Sequence, residues 1–201
     1  MAAAAAWLVL PHWQSRQWPQ LAAQALQTQA IYLREILAQY QSGKRDHLAY
    51  RVARRNAHNA DAALSNSYSA MLKEPLRVRG GAEVVANFLR LSHTQLNYLS
   101  ALGAQRGGAA AQPMDEATQA SAQALLQPLQ DLSDELERAQ REMGGRRRPV
   151  AQAPAVAEVL RQFGQTPPAV PAQSWMANQL QLVGKVFPQL REQARQMVER
   201  G

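Results

Sequence analysis

Apolar residues recur every three or four positions through four long stretches of this chain and again near its end. That spacing gathers them on one side of an α-helix and does not fit a strand, in which alternate residues share a face. The first stretch, LAAQALQTQAIYLREILAQY, repeats at Ala22, Ala25, Leu26, Tyr32, Leu33, Ile36, Leu37 and Tyr40 and closes near Ser42-Gly43. Pro19 just ahead of it suits a first helical turn, where its missing N–H costs nothing. A second helix is expected from about Lys44 to Lys73, ended by Glu74-Pro75, with Ala49, Ala53, Ala57, Ala60, Leu64 and Met71 facing inward.

The third helix, AEVVANFLRLSHTQLNYLSALGAQRG, is the most hydrophobic, through Val85, Phe88, Leu89, Leu96, Leu99 and Leu102, and is expected at the centre. Gly103 and Gly107-Gly108 close it. A fourth begins near Met114–Glu116, with Asp115 and Glu116 at its electropositive end. It continues through Leu125, Leu129, Leu132, Leu136, Ala139 and Met143, and Pro128 inside it should kink it. Residues 144–173 hold most of the prolines and a triple arginine, and read as a linker with one short helix near Ala155–Phe163. The last helix lines up Met176, Leu180, Val183, Phe187, Leu190, Ala194 and Met197 and should dock back on the others.

The expected fold is therefore all-α. It is a bundle of four to five helices, with a proline-rich linker before the last one. Composition agrees: alanine dominates the apolar residues, Phe occurs three times, and β-branched residues are sparse. Cysteine is absent, which excludes a disulfide scaffold, thiolate zinc sites and cysteine nucleophiles.

Charge divides the chain. Residues 1–110 carry twelve Lys and Arg against five Asp and Glu, whereas residues 111–201 carry ten of each. The basic half suggests an anionic neighbour, a phospholipid surface or nucleic acid. The opening MAAAAAWLVLP is about half the length that a membrane-spanning helix requires, ~20 residues, and lacks the basic start of a signal peptide. After it Trp7, Trp13 and Trp18 surround Arg16, an arrangement that marks the cytoplasmic end of a span. Residues 1–12 are thus expected to be the end of a truncated transmembrane helix. Residues 13–143 would form the cytoplasmic bundle, and 174–201 its returning helix.

The densest polar stretch is RRNAHNADAALSNSYSAMLKEP, Arg54 to Pro75. Arg54, His58, Asp61 and Ser65 fall on one helical line. As an active site it would use His58 as a base oriented by Asp61, but no nucleophile turn, second carboxylate in phase or glycine-rich phosphate loop accompanies them. As a metal site it would supply two ligands where three or four are needed, with His93 arriving from another helix. The expectation is therefore no catalytic, metal or cofactor site. Instead Arg54, Arg55, Asn56, His58, Asn59, Asp61, Ser65 and His93 should form a structural hydrogen-bonded network between close helices. Nucleic-acid binding through Arg51, Arg54, Arg55, Arg77, Arg79 and Arg90 is the alternative, with no recognisable binding motif behind it.

ARRNAHNADAALSNSYSAMLKEP, followed by FLRLSHTQLNYLSALGAQRG, resembles the C-terminal cytoplasmic domain of the FUSC (fusaric acid resistance-like) family, in its YccS/YhfK-type branch. LPHWQSRQWPQLAAQAL resembles the exit from that family's last membrane helix. The resemblance runs from Trp7 to Arg106, is looser in the last helix and is absent from the linker. It implies a bacterial inner-membrane protein regarded as an exporter, with relatives that export aromatic carboxylic acids. It also implies the cytoplasmic side of the membrane, anionic lipids and the missing membrane-spanning part as partners, and room for a homo-oligomer. On this reading nucleic acid is not favoured. The chain lacks the family's membrane bundles and cannot itself form a pore.

Overall fold

Five α-helices carry the chain in the computed structural model, which describes residues 13–42, 47–74, 81–105, 114–142 and 171–200. They are α1 (Trp13–Ser42), α2 (His47–Met71), α3 (Ala82–Ala104), α4 (Glu116–Glu142) and α5 (Pro171–Arg200), with no strand among the described residues. This is the all-α bundle that the periodicity implies. The short helix expected near residues 155–163 and the end of a membrane helix expected at residues 1–12 lie outside the described residues.

The centre is α1, not α3. It packs against all four other helices, most extensively against α4 and α2, while α5 lies mainly along α3. Ala22, Ala23, Ala25, Leu26, Ala30, Tyr32, Leu33, Ile36 and Leu37 are all 3% exposed or less. Alanine adds little to a hydropathy pattern, yet small side chains let neighbouring helices come close on several sides. That is why the more leucine-rich α3 looks central in sequence and is not. Helix α1 also starts at Trp13, so Pro19 sits in its interior and not in its first turn.

In α2 the alanine face is buried at Ala53, Ala57 and Ala60, together with Leu64 and Met71, but Ala49 is exposed and Tyr50 takes the inward position. The helix ends in a turn in which Lys73 N–H donates to Ala70 O and Glu74 N–H to Met71 O. Gly81 begins α3 in the left-handed region, φ 83°, a conformation that glycine adopts without the strain a Cβ would bring. In α4, Asp115 is the N-cap: its Oδ1 accepts the Thr118 N–H at 2.6 Å. That helix runs on through the buried Pro128. Every apolar residue expected on the seam of α5 is buried. Where α5 meets α4, Arg191 pairs with Glu135 at 3.4 Å. Burial pushes the Glu135 carboxyl above the usual carboxylate range, against the pull of Arg191 and Arg138.

Candidate functional site

The polar stretch of α2 divides by helical phase. Asp61 points inward at 7% exposure and accepts a hydrogen bond from His93 Nδ1 of α3 at 2.9 Å. Ser65 Oγ turns back to donate to the Asp61 carbonyl at 3.0 Å. His58 Nε2 lies 3.4 Å from Ser100 Oγ at the surface. Burial, and then the Arg54 guanidinium, lower its pKa below the ordinary histidine value.

Arg54, Arg55, Asn56, His58 and Asn59 are exposed, which corrects the expectation of a buried network. They occupy the outer side and flanks of α2, around the buried face of Ala53, Ala57, Ala60 and Leu64. Of the expected members, only Asp61 and His93 bridge two helices at short range among the described residues. Nothing in the structure explains why asparagine stands at 56 and 59.

The buried polar contacts lie elsewhere, and the sequence reading passes over them. Gln29 Nε2 of α1 donates to Ser92 of α3, at 2.9 Å to Oγ and 3.2 Å to the carbonyl. The Tyr32 and Tyr50 hydroxyls are 2.9 Å apart, and Tyr40 Oη donates to the Leu102 carbonyl at 2.9 Å. Burial, and next the Tyr50 hydroxyl, push the Tyr32 phenol above its ordinary pKa. Ser133 Oγ of α4 donates to the Ala23 carbonyl of α1 at 2.9 Å. One signal was available: Gln29, Ser92 and Ser133 each sit inside an otherwise apolar stripe. Gln95 is fully buried beside Leu96 and has no hydrogen-bond partner among the described residues; nothing in the structure explains it.

Ser133→Ala tests how far such a contact matters. Ser133 is 2% exposed, and its hydroxyl ties α4 to the central helix. Its loss is expected to cost about 1 kcal/mol, read as a lower urea midpoint with an unchanged slope. An unchanged midpoint would make this contact energetically silent.

Asp61 and His93 amount to a carboxylate that orients an imidazole, with the His93 side chain 61% exposed. Catalysis would also need a nucleophile or a bound reactant near the outer ring nitrogen. Among the described residues that nitrogen has no hydrogen-bond partner, and no group of three or more His, Asp or Glu could hold a metal ion. What the pair does on these observations is clasp α2 to α3.

The membrane-facing tryptophans need one correction. Trp18 is 2% exposed and part of the hydrophobic core, in helical phase with Ala22, Ala25 and Gln29, so it does not face outward. Trp7 lies outside the described residues. Trp13 and Arg16 stand in the first turn of α1, and their side chains also lie outside what is described.

A shallow groove of about 520 Å³ lies on α2, lined by Leu48, Arg51, Val52, Arg54, Arg55 and His58. Leu48 is 71% exposed and Val52 39%. None of the three arginines forms an ion pair with a described residue. The acidic residue of α2 is Asp61, which is turned inward to His93.

Comparison with known proteins places half of the chain. Over 98 residues, 49% of the chain, it is 43% identical to the inner membrane protein YccS of Escherichia coli. Over 110 residues, 53% of the chain, it is 41% identical to an uncharacterized protein of Haemophilus influenzae. The matched segments make up 14% and 15% of those two proteins, so this chain spans a small part of either. No family model and no solved structure matches it.

Proposed function

We propose that this chain is the C-terminal cytoplasmic helical domain of a YccS-type inner-membrane protein of the FUSC family. On this reading it serves assembly or regulation of an exporter of aromatic or other organic acids and has no catalytic role. The observation that carries the proposal is the 43% identity, over half of the chain, to a protein named for the inner membrane. The all-helical fold and the basic residues 1–110 are consistent with it. No described helix is long and apolar enough to cross a membrane, so the reading assigns the crossing to other segments of the protein. Its partners are then those segments, the anionic lipids of the inner leaflet, and further copies of the protein.

Cell fractionation of the tagged protein in its own host tests this reading. The expected result is recovery with the inner membrane, proteolysis in inverted vesicles and protection in intact spheroplasts. Recovery in the soluble fraction with bound nucleic acid would overturn it in favour of a helical nucleic-acid-binding module. Cleavage from the outer side of spheroplasts would overturn the cytoplasmic placement.

A further inference from the structure

The outer face of α2 carries a pattern that the bundle does not use. Leu48, Arg51, Val52, Arg55, Asn59 and Ala62 share one side of the helix, each three or four residues from another of the set, and all are exposed. Arg54 and His58 flank this stripe and line the same groove. The face therefore presents three cations and two aliphatic side chains, with no acidic residue of its own helix beside them.

We infer that this face of α2 docks flat on an anionic phospholipid bilayer, its arginines on lipid phosphates and Leu48 and Val52 at the edge of the acyl region. The inference rests on the membrane-adjacent reading and adds which surface makes contact and in what orientation. Charge complementarity supplies the attraction, which polybasic segments near an anionic leaflet exploit. The aliphatic pair decides between anions. A helix that lies in the interface buries apolar side chains at the headgroup boundary while the stems of its arginines reach up to the phosphates. A nucleic-acid backbone gains nothing from an exposed leucine and valine, and the groove has no Phe, Tyr or Trp on which a base could stack.

The contact has a geometric consequence. The Tyr32–Tyr50 hydroxyl contact places this part of α2 beside the middle and far end of α1. At ~1.5 Å per residue, Tyr32 is roughly 30 Å along α1 from Trp13. Attraction to a charged surface fades within ~8 Å at physiological salt. A bundle standing upright on its Trp13 end would hold the arginines out of reach. Docking requires α1 and α2 to lie along the membrane plane, so the bundle rests on its side.

Vesicle binding by the purified full chain tests the inference. The vesicles are phosphatidylcholine, with or without phosphatidylglycerol, over a salt series. Binding is expected only with phosphatidylglycerol and is expected to fall as salt rises. Each of Arg51→Gln, Arg54→Gln and Arg55→Gln should weaken it about fivefold, and the triple variant about 100-fold. Leu48→Ser should weaken it several-fold. A fluorophore on Leu48→Cys should shift to the blue on anionic vesicles, whereas one on the exposed Asp134→Cys of α4 should not. All these positions are exposed, so unchanged circular dichroism and melting temperature establish that each variant folds.

Undiminished binding by the triple variant, or a Leu48→Cys label that stays in water, would overturn the inference. So would tighter binding of short DNA or RNA duplexes than of vesicles at the same salt. Such a failure alongside recovery in the inner membrane would leave the proposed function standing and remove only this face.

Discussion

Phe88→Ala is expected to destabilise the bundle by about 3–5 kcal/mol, the usual cost of removing a buried ring. Phe88 is fully buried in the core, on the α3 stripe that also carries Val85, Leu91, Leu99 and Leu102. Cutting it back to alanine withdraws the contacts of the ring and leaves a cavity that helices held from both ends can close only in part. For a chain of this size the loss corresponds to a fall in melting temperature of about 6–20 °C. Chemical denaturation should show the same loss at an unchanged slope. A change below about 1 kcal/mol would mean that the ring does not pack as described. Leu48→Ala is the control: at 71% exposure it should be nearly neutral.

Gly103→Ala should destabilise the bundle although it adds a single carbon. A Cβ there would come 2.6 Å from Tyr50 Oη, 3.0 Å from Tyr32 Oη and 3.2 Å from Tyr50 Cε2. Neither ring is free to yield. Tyr32 and Tyr50 are buried, their rings are 5.4 Å apart at 54°, and their hydroxyls bond each other. Overpacking of this kind costs about 1–3 kcal/mol. A double-mutant cycle separates the clash from a change in helix propensity, since alanine alone would favour the helix. In the Gly103→Ala background, Tyr50→Phe removes the nearest atom and should recover part of the loss, although in the parent it is destabilising. Additive effects would show that the clash is not with this hydroxyl.

These two residues also mark what could be read from sequence and what could not. Phe88 belongs to a one-sided stripe, and such stripes identify their helices and buried faces well; in α5 all seven expected core residues are buried. Gly103 reads as a helix stop, and α3 does end one residue later at Ala104, but the missing side chain also admits two tyrosines from α1 and α2. That reason is tertiary and leaves no local trace. Gln29 and Ser133 escape for a similar cause, since their partners stand 63 and 110 residues away. Trp18 shows the opposite error. A tryptophan near an arginine suggests a membrane edge, but its phase with Ala22 and Ala25 sends it into the core. Density misleads in α2 as well, where residues 54–59 are conspicuously polar because that side faces outward. The groove over Leu48 and Val52 is legible only in part: its arginines stand out in the sequence, whereas the aliphatic pair beside them does not.

The position of α1 has a further consequence, for the order in which the protein is made. It is the first described helix to leave the ribosome, and its partner α4 follows about 100 residues later, as the Ala23–Ser133 contact shows. At ~5–20 residues per second, that interval lasts about 5–20 s. Helix α2 can fold back on α1 early, but the α4 side of α1 must wait, exposed to every other unfinished chain nearby. Ala22, Ala23, Ala25 and Ala30 are part of the inward surface of α1. Each presents a single methyl group, far less adhesive area than leucine. The small residues that let helices crowd around α1 in the finished bundle therefore also leave less apolar area open on the waiting helix than leucines at the same positions would.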